Sequence, residues 1–265
     1  MTIMHLEVFR LDLGMRRRLL AAYTLGMAVY ALIIVALYPT FEHSTGLDNL
    51  TKNSPTMAAL FGASGSITSP AGWLEVNLYA NFFPLLVLLA TIGYGASAVA
   101  GQDEDGTLAM VTTLPIRRRR ITMEKSLAMA TQAVVIVSVS TAFIGIGYAF
   151  DITVGVAGML GTSVGVLLLG IDLGLIALLV GAATGRRGIA LGIASAVGAI
   201  SYLVSSLAPV VHWIRPMRFA SLFYWSVGNN QLTMGISPSE VAVLVGVALA
   251  LVAVAILAFE RLDLH

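Results

Sequence analysis

Six long apolar segments constrain this chain more strongly than any other feature of its sequence. A helix needs about 20 apolar residues to cross the hydrocarbon core of a bilayer, and the segments near or above that length are 19–37, 78–100, 127–150, 154–183, 189–211 and 241–259. Hydrophobic residues make up 58% of the chain, against roughly 45–50% in soluble domains. We therefore predict an all-α polytopic membrane protein, a single transmembrane domain over residues 1–265 with six transmembrane helices.

The distribution of Lys and Arg predicts the orientation of these helices, because cytoplasmic loops carry an excess of both residues. When the segments alternate, twelve of the 15 Lys and Arg residues fall on the side of the N-terminus, most of them in clusters at 16–18, 117–120 and 186–187. Both termini are therefore expected in the cytoplasm. The connections at 39–77 and 212–237 are then extracellular, and the connection at 101–120 is cytoplasmic.

Residues 1–18 precede the first apolar segment and carry an amphipathic pattern. Met4, Val8, Leu11 and Met15 recur at helical spacing on one stripe, as in helices that lie in the plane of the membrane interface. We predict an N-terminal interfacial helix here, which forms an elbow before the first transmembrane helix. A disordered basic leader is the alternative.

The connection at 101–120 is highly charged for so apolar a chain. Three acids are followed by a Gly-Thr pair, a short amphipathic run, a proline and four arginines, in the stretch GQDEDGTLAMVTTLPIRRRR. A helix dipole favours acids at the N-terminal end, so we predict a short helix from Glu104 to Leu114. Leu108, Val111 and Leu114 would share a face that docks in an apolar groove of a partner. In the alternative interpretation, these charges only fix the topology.

The extracellular segment at 212–237 is aromatic and amphipathic, and it immediately precedes the last transmembrane segment. Its aromatic residues, which we take as an outer gate or interface, are Trp213, Phe219, Phe223, Tyr224 and Trp225. Aromatic side chains are enriched at the headgroup level of membranes. The segment is therefore either an ordinary aromatic belt or a re-entrant helix that closes an outer gate.

Asp172 is the one formal charge inside the six apolar segments. A carboxylate in hydrocarbon is costly and usually faces a protein interior or water. It would be either a substrate or proton site, or a carboxyl group that is hydrogen-bonded to Ser, Thr or Tyr on a neighbouring helix.

No motif in the chain predicts catalysis. A phosphate-binding G-x-x-x-x-G-K-[ST] loop is absent, and the sequence contains no cysteine. The four histidines, His5, His43, His212 and His265, are scattered and form no pattern typical of a metal site. We therefore expect no catalytic residue, no metal site and no nucleic-acid partner.

One stretch, AVAGQDEDGTLAMVTTLPIRRRRITMEK, resembles the first cytoplasmic loop of ABC-type transporter permeases of the type-2 exporter class. The positions that fit the pattern of that loop are Glu104, Gly106, Thr107, Leu108, Leu114, Pro115, Arg118 and Lys125. Gln102 and Ala109 stand where the family often has acids. The resemblance extends in order over essentially the whole chain, although ASLFYW replaces the family's S-P-F motif before the last helix.

The resemblance implies a half-transporter that pairs with a second permease copy or a homologous permease. Two nucleotide-binding ATPase subunits would bind ATP and Mg, and this chain would bind no cofactor itself. The loop would couple the two kinds of subunit, through Asp103, Glu104, Asp105, Gly106, Thr107, Leu108, Val111, Leu114, Pro115 and Arg118. The chain would lie among the lipids of the cell membrane, the inner membrane of a bacterium.

The function that this resemblance implies is that of a permease subunit of an ATP-binding-cassette exporter, which forms half of the translocation pathway. The substrate would be a small molecule or a lipid, with a drug, a lipid and a peptide all compatible with the layout. Two alternatives stay open: an ion- or proton-coupled secondary carrier that uses Asp172, and a membrane anchor or sensor subunit that transports nothing.

Overall fold

The structure is a computed structural model that describes residues 7–44, 66–106 and 118–260. Within these ranges the regular structure is entirely helical, with no strand. Six helical runs are long and apolar enough to cross a membrane: Glu7–Phe41, Pro70–Glu104, Arg118–Phe150, Val156–Thr184, Arg187–Leu207 and Pro238–Glu260. The predicted all-α fold with six membrane-spanning helices is confirmed.

Ten α-helices make up these runs and the connections between them. In chain order they are α1 (Glu7–Phe41), α2 (Pro70–Leu74), α3 (Phe82–Ala96), α4 (Gln102–Glu104), α5 (Arg118–Gly145), α6 (Val156–Thr184), α7 (Arg187–Leu207), α8 (Leu222–Ser226), α9 (Gln231–Met234) and α10 (Pro238–Glu260). Short 3₁₀ turns at Ile146–Phe150 and Arg215–Ala220 and π-helical turns at Glu75–Tyr79 and Ser97–Gly101 complete the described helical structure.

The first span is longer than its apolar segment. Helix α1 continues without interruption for 35 residues, or about 52 Å at 1.5 Å per residue. The described part of the predicted elbow, residues 7–18, therefore belongs to the same helix as the first apolar segment. An orientation of this part in the plane of the membrane stays a prediction.

The second span is interrupted twice by π-helical turns, at Glu75–Tyr79 and Ser97–Gly101. After the first turn, the backbone of Asn81 leaves the helical region, with φ −129° and ψ −76°, and α3 begins at Phe82. Pro84 lies in the first turn of α3, where a missing N–H costs no intrahelical hydrogen bond. The proline therefore favours a new helix start at this point over a continuous helix.

Helix α6 is the central element of the bundle, because it packs against α3, α5, α7 and α10. Glycines allow its close approach to α3. A Cβ at Gly95 would collide with the carbonyl oxygen of Gly174, and one at Gly170 would collide with the side chain of Val87. Small residues that let two backbones approach are typical of helix packing in membranes.

The spans alternate in direction, so the bundle has two distinct ends. We call the end that carries the N-terminus of α1 and the arginine clusters at 16–18, 118–120 and 186–187 the basic end. The other end carries the join between the third and fourth spans, where Asp151 adopts a left-handed conformation with φ 61°, and the segment between α7 and α10. We call it the opposite end.

Candidate functional site

The predicted coupling loop is described at its two ends. Asp103 and Glu104 lie in α4, Asp105 and Gly106 follow it, and Arg118 is the first residue of α5. The predicted contact residues between them, which are Thr107, Leu108, Val111, Leu114 and Pro115, lie outside the described residues.

Both ends of this loop are attached to other spans. At the first end, the side-chain Oε1 of Glu104 accepts a hydrogen bond of 2.9 Å from the backbone N–H of Arg187. This N–H belongs to the first turn of α7, where backbone donors have no intrahelical acceptor and a negative charge is favoured. Glu104 therefore fixes the loop to the start of α7.

At the second end, Arg118 binds the C-terminal turn of α10. Its Nη1 donates a 3.1 Å hydrogen bond to the carbonyl oxygen of Phe259, and its guanidinium carbon lies 5.6 Å from the centre of the Phe259 ring. A cation at a helix C-terminus is favoured by the helix dipole. The loop is thus bounded by one contact to α7 and one to α10.

The first turn of α1 is bound by α5. Oε2 of Glu124 accepts hydrogen bonds from the backbone N–H groups of Val8 at 3.0 Å and Phe9 at 3.3 Å, while its Oε1 forms a 2.7 Å ion pair with Arg120. A carboxylate that accepts from unpaired N–H groups at a helix start stabilises that helix. Glu124 therefore caps α1 from a helix that is more than 110 residues away along the chain.

A buried polar cluster lies directly beside this cap. Lys125 has an exposed fraction of 0%, and its Nζ lies 2.8 Å from Oε1 of Gln102 and 3.5 Å from Oδ2 of Asp12. The hydroxyl of Tyr94 donates a 2.6 Å hydrogen bond to the same Asp12 oxygen, and Arg16 stacks over the Tyr94 ring at 4.6 Å. The cluster joins α1, the second span and α5.

Sequence reasoning found only part of this arrangement. The loop pattern includes Lys125 and Gln102, but nothing in the sequence predicts Asp12, Tyr94 and Glu124 as functional residues. Asp12 does carry a signal in the sequence, because it is an acid within the amphipathic 1–18 stretch. In the folded chain this acid is buried.

At the opposite end, the segment between α7 and α10 is held by Ser201 of α7. Ser201 and Ser221 lie 3.0 Å apart through their Oγ atoms, and Oγ of Ser201 also accepts from the N–H of Phe223 at 3.1 Å. Ser221 is the N-cap of α8, where its Oγ accepts from the N–H of Tyr224 at 3.2 Å.

The five predicted aromatic residues of this segment do not share one environment. Trp213 is 73% exposed and Phe219 is 53% exposed, whereas Phe223 is buried. Tyr224 and Trp225 are half-buried and pack edge to face, with ring centres 5.4 Å apart. Of these five aromatic residues, those of α8 therefore pack into the bundle, whereas Trp213 and Phe219 before it face outward.

Helix α10 begins with a capping box, a reciprocal pair of hydrogen bonds between the N-cap and the third helical residue. The N–H of Ser237 donates to Oε2 of Glu240 at 2.8 Å, and the N–H of Glu240 donates to Oγ of Ser237 at 3.3 Å. Oε1 of Glu240 also accepts from Asn229 at 2.9 Å and from Gln231 at 3.2 Å. Glu240 therefore connects the last span to the preceding segment by hydrogen bonds.

Asp172 lies in the middle of α6 with an exposed fraction of 0%. Within the described ranges, neither of its carboxyl oxygens has a hydrogen-bond partner. The Ser, Thr or Tyr partner that one of our interpretations required is not found there. The same residues contain no group of three or more His, Cys, Asp or Glu side chains that could hold a metal ion.

Comparison with family models shows which family the chain belongs to. The model described as "ABC-2 family transporter protein" matches residues 6–264. The chain belongs to the ABC-2 family. This membership confirms the resemblance predicted from the loop, and it makes the chain a transmembrane subunit of an ABC transporter. No curated protein matches the chain.

This ABC-2 family protein contains a cavity of about 810 Å³ between the second span and α7. None of the residues that line it carries a formal charge. They are Tyr30, Val76, Asn77, Ala80, Asn81, Phe82, Leu85, Leu88, Leu89, Ile92, Gly93, Leu191, Ser195, Gly198, Ala199, Tyr202 and Phe223. The polar groups gather near the break before α3, where the Tyr202 hydroxyl donates to Oδ1 of Asn81 at 2.6 Å.

The size and lining of this cavity are those of a small-molecule site. Ligand pockets are commonly apolar, with a few polar groups and volumes of about 300–1,000 Å³. Non-helical backbone at membrane depth is found where it is buried or lines a cavity, and the break at Asn81 lies in this wall. The ABC-2 family chain thus has an uncharged cavity of suitable size within the membrane-spanning region.

Proposed function

We propose that this chain is the permease subunit of an ATP-binding-cassette exporter and forms half of its translocation pathway. A second permease copy or a homologous permease would form the other half, and two separate ATPase subunits would bind ATP and Mg. The basic end would face the cytoplasm, in the inner membrane of a bacterium. Membership of the ABC-2 family and the asymmetric distribution of Lys and Arg support this proposal.

The attachment of the charged loop to several spans carries the proposal. Glu104 binds the start of α7, and Arg118 binds the end of α10. Nearly two turns further along α5, Glu124 caps α1. A displacement applied to residues 107–117 would therefore move the cytoplasmic ends of α7, α10 and α1 together, as a coupling element between ATPase and permease requires.

The uncharged cavity between the second span and α7 would form the part of the pathway that binds the transported molecule. Its lining favours an apolar small molecule or lipid with a hydrogen-bonding group, because an ionic group would lose hydration there without finding a countercharge. Tilting of α7, transmitted from Glu104, would change the width of this cavity. The cavity would then alternate between the two faces of the membrane as the ATPases open and close.

The loop is tested by co-purification of the partner ATPase and by substrate-stimulated ATP hydrolysis. Leu108→Asp would place a charge in the apolar groove of the ATPase, at a cost of several kcal/mol if it stays ionised and unpaired. We expect this variant to insert in the membrane but to lose both readouts. Leu108→Met and Arg119→Gln, which keep the apolar face, are the controls and should retain them.

The opposite result would refute the proposed coupling. If Leu108→Asp retains the ATPase as firmly as the parent chain and hydrolyses ATP normally, the loop does not transmit the movement, and its charges set only the topology.

A second candidate function rests on Asp172. A fully buried carboxyl group without a partner among the described residues is also the feature expected of a carrier that couples transport to an ion or proton. Transport that persists in vesicles without the ATPase and ATP, and that follows an ion gradient, would favour this alternative over the exporter.

A further inference from the structure

Three glycines of α6 form a groove that holds the main chain of the segment before α10. A Cβ at Gly158 would collide with the carbonyl oxygen of Leu232, and one at Gly165 would collide with the carbonyl oxygen of Ser226. At Gly161 a Cβ would meet the backbone nitrogen of Ile236. These contacts show that residues 226–236 lie against α6 itself.

Residues 226–236 contact α6 well beyond the first turn of that helix. Gly165 is nine residues beyond Val156, where α6 begins, which corresponds to about 14 Å along the helix axis. The last residue of α8, Ser226, therefore lies against α6 well beyond the start of that helix. Ser226 is fully buried, and its hydroxyl bonds to the carbonyl oxygen of Phe223 at 3.1 Å.

Asp172 lies on the same face of α6 as this groove. It follows Gly165 by seven residues, a spacing that places two side chains on one helix face, about 10 Å further from the opposite end. The glycine contacts thus end about 10 Å from a buried carboxyl group on the same helix face. Neither oxygen of this group has a hydrogen-bond partner among the described residues.

The stretch directly before the groove-filling residues holds a cation on aromatic side chains. The guanidinium carbon of Arg218 lies 4.8 Å from the ring centre of Phe219 and 5.2 Å from that of Tyr224. Aromatic faces at these distances attract ammonium as well as guanidinium groups.

We propose that Asp172 is a binding site for an organic ammonium group, which becomes accessible when residues 222–236 leave the glycine groove of α6. The charge supports this class of ligand, because a buried carboxylate is stabilised by an opposite charge and no ion pair or hydrogen bond to Asp172 is found among the described residues. The site is separate from the uncharged cavity, whose lining does not include Asp172. Binding of the ammonium group at Asp172 would require neither the ATPases nor the exported substrate.

Gln231 controls how firmly the segment is seated. It is fully buried, and its Nε2 lies 3.3 Å and 3.4 Å from the carbonyl oxygens of Tyr224 and Trp225 and 3.2 Å from Oε1 of Glu240. Its Oε1 accepts from the N–H of Asn229 at 2.8 Å. Gln231→Met keeps the volume of the side chain but removes these hydrogen bonds, while the capping box of α10 stays intact.

The first test measures access to position 172. The chain contains no cysteine, so Asp172→Cys gives a single thiol that reacts with trimethylammonium-ethyl methanethiosulfonate in permeabilised cells. We expect Gln231→Met to accelerate this reaction about tenfold or more, since the loss of one strong hydrogen bond alone corresponds to about that factor. Val166→Cys, buried elsewhere on α6, is the control and should react equally slowly in both backgrounds.

Two results of this test would overturn the proposal. An unchanged rate at position 172 would mean that the segment does not cover the site. An equal acceleration at positions 166 and 172 would mean that Gln231→Met loosens the whole bundle and that no defined groove leads to Asp172.

The second test measures binding to the purified full-length chain that carries Gln231→Met. Radiolabelled octylammonium is the probe, and 1-octanol is an uncharged probe of the same chain length. We expect Asp172→Asn to weaken octylammonium binding about tenfold or more, since a hydrogen-bonded charge pair is lost, and to leave 1-octanol binding unchanged. The control Asp151→Asn, at an exposed acid, should bind both probes like the parent.

Octylammonium binding that is equal in the Asp172→Asn variant and its parent would refute the site. The same conclusion would follow if Asp151→Asn weakened binding as much as Asp172→Asn, because the probe would then respond only to the total negative charge of the protein.

Discussion

Lys125 and Asp12 form an ion pair inside the bundle, with 3.5 Å between Nζ and Oδ2 and almost no solvent exposure of either side chain. They are 113 residues apart. The pair connects α5 to α1 at the basic end, next to the start of the charged loop. Gln102 and Tyr94 supply additional hydrogen bonds to the lysine and the aspartate, so both charges are compensated.

Breaking this pair on one side is expected to destabilise the protein more than removing it on both sides. Lys125→Met leaves the carboxylate of Asp12 buried without its cation, a loss of about 3–5 kcal/mol in comparable pairs. The double variant Lys125→Met, Asp12→Leu should recover part of that loss. The measurement is the thermal unfolding midpoint of the detergent-solubilised protein, and equal midpoints for parent and Lys125→Met would contradict the prediction.

Glu124 should determine whether the first turn of α1 is formed. In Glu124→Ala, the N–H groups of Val8 and Phe9 lose their acceptor, and we expect about 1–2 kcal/mol of local destabilisation. Hydrogen exchange followed by mass spectrometry should show faster exchange at residues 8 and 9. Met123→Ala, at an exposed neighbouring position, is the control, and similar exchange in both variants would show that Glu124 does not cap the helix.

A side chain that fills the uncharged cavity should block access to it. A single cysteine introduced by Ser195→Cys lies in the cavity wall and is expected to react with N-ethylmaleimide. Adding Ala199→Phe places an aromatic ring in the same cavity and should slow this reaction about tenfold or more, since a pocket of this size holds few such groups. Ala253→Phe, at an exposed alanine of α10, should not change the rate.

The orientation of the chain is testable with the same cysteine-free background. Single cysteines in place of Ser64 and Asn230 should react with an impermeant thiol reagent from outside intact cells. A cysteine in place of Thr113 should react only after permeabilisation, because the adjacent arginines are expected in the cytoplasm. Reaction of the Thr113 variant in intact cells would reverse the orientation.

The number and order of the membrane-spanning helices could be predicted because each apolar segment carries its own signal. The ends of the helices could not. The apolar criterion stops at the first charged residues, whereas the helical hydrogen bonds of α5 continue through Arg118–Arg120 and Glu124, and those of α1 through Arg16–Arg18. The residues between Gly106 and Arg118 that we predicted to contact an ATPase remain a prediction.

The polar clusters were not predictable for a different reason. Asp12, Tyr94 and Lys125 become partners only when three separate spans pack together, and nothing in their local sequence specifies that register. The glycine-rich character of the fourth segment was visible, but two roles are mixed in it. Gly170 and Gly174 approach α3, whereas Gly158 and Gly165 accommodate the main chain of the segment before α10.

The two π-helical turns of the second span have a consequence for insertions and deletions. A π-helical turn is in effect an α-helix with one extra residue, and one residue corresponds to about 100° of rotation around the helix axis. Deletion of a single residue within Glu75–Tyr79 would restore regular winding and turn every position before the break relative to α3. Asn77 would then leave the cavity wall while the composition of the span stayed nearly the same. A change of one residue in the length of this span would therefore change which of its side chains face the cavity.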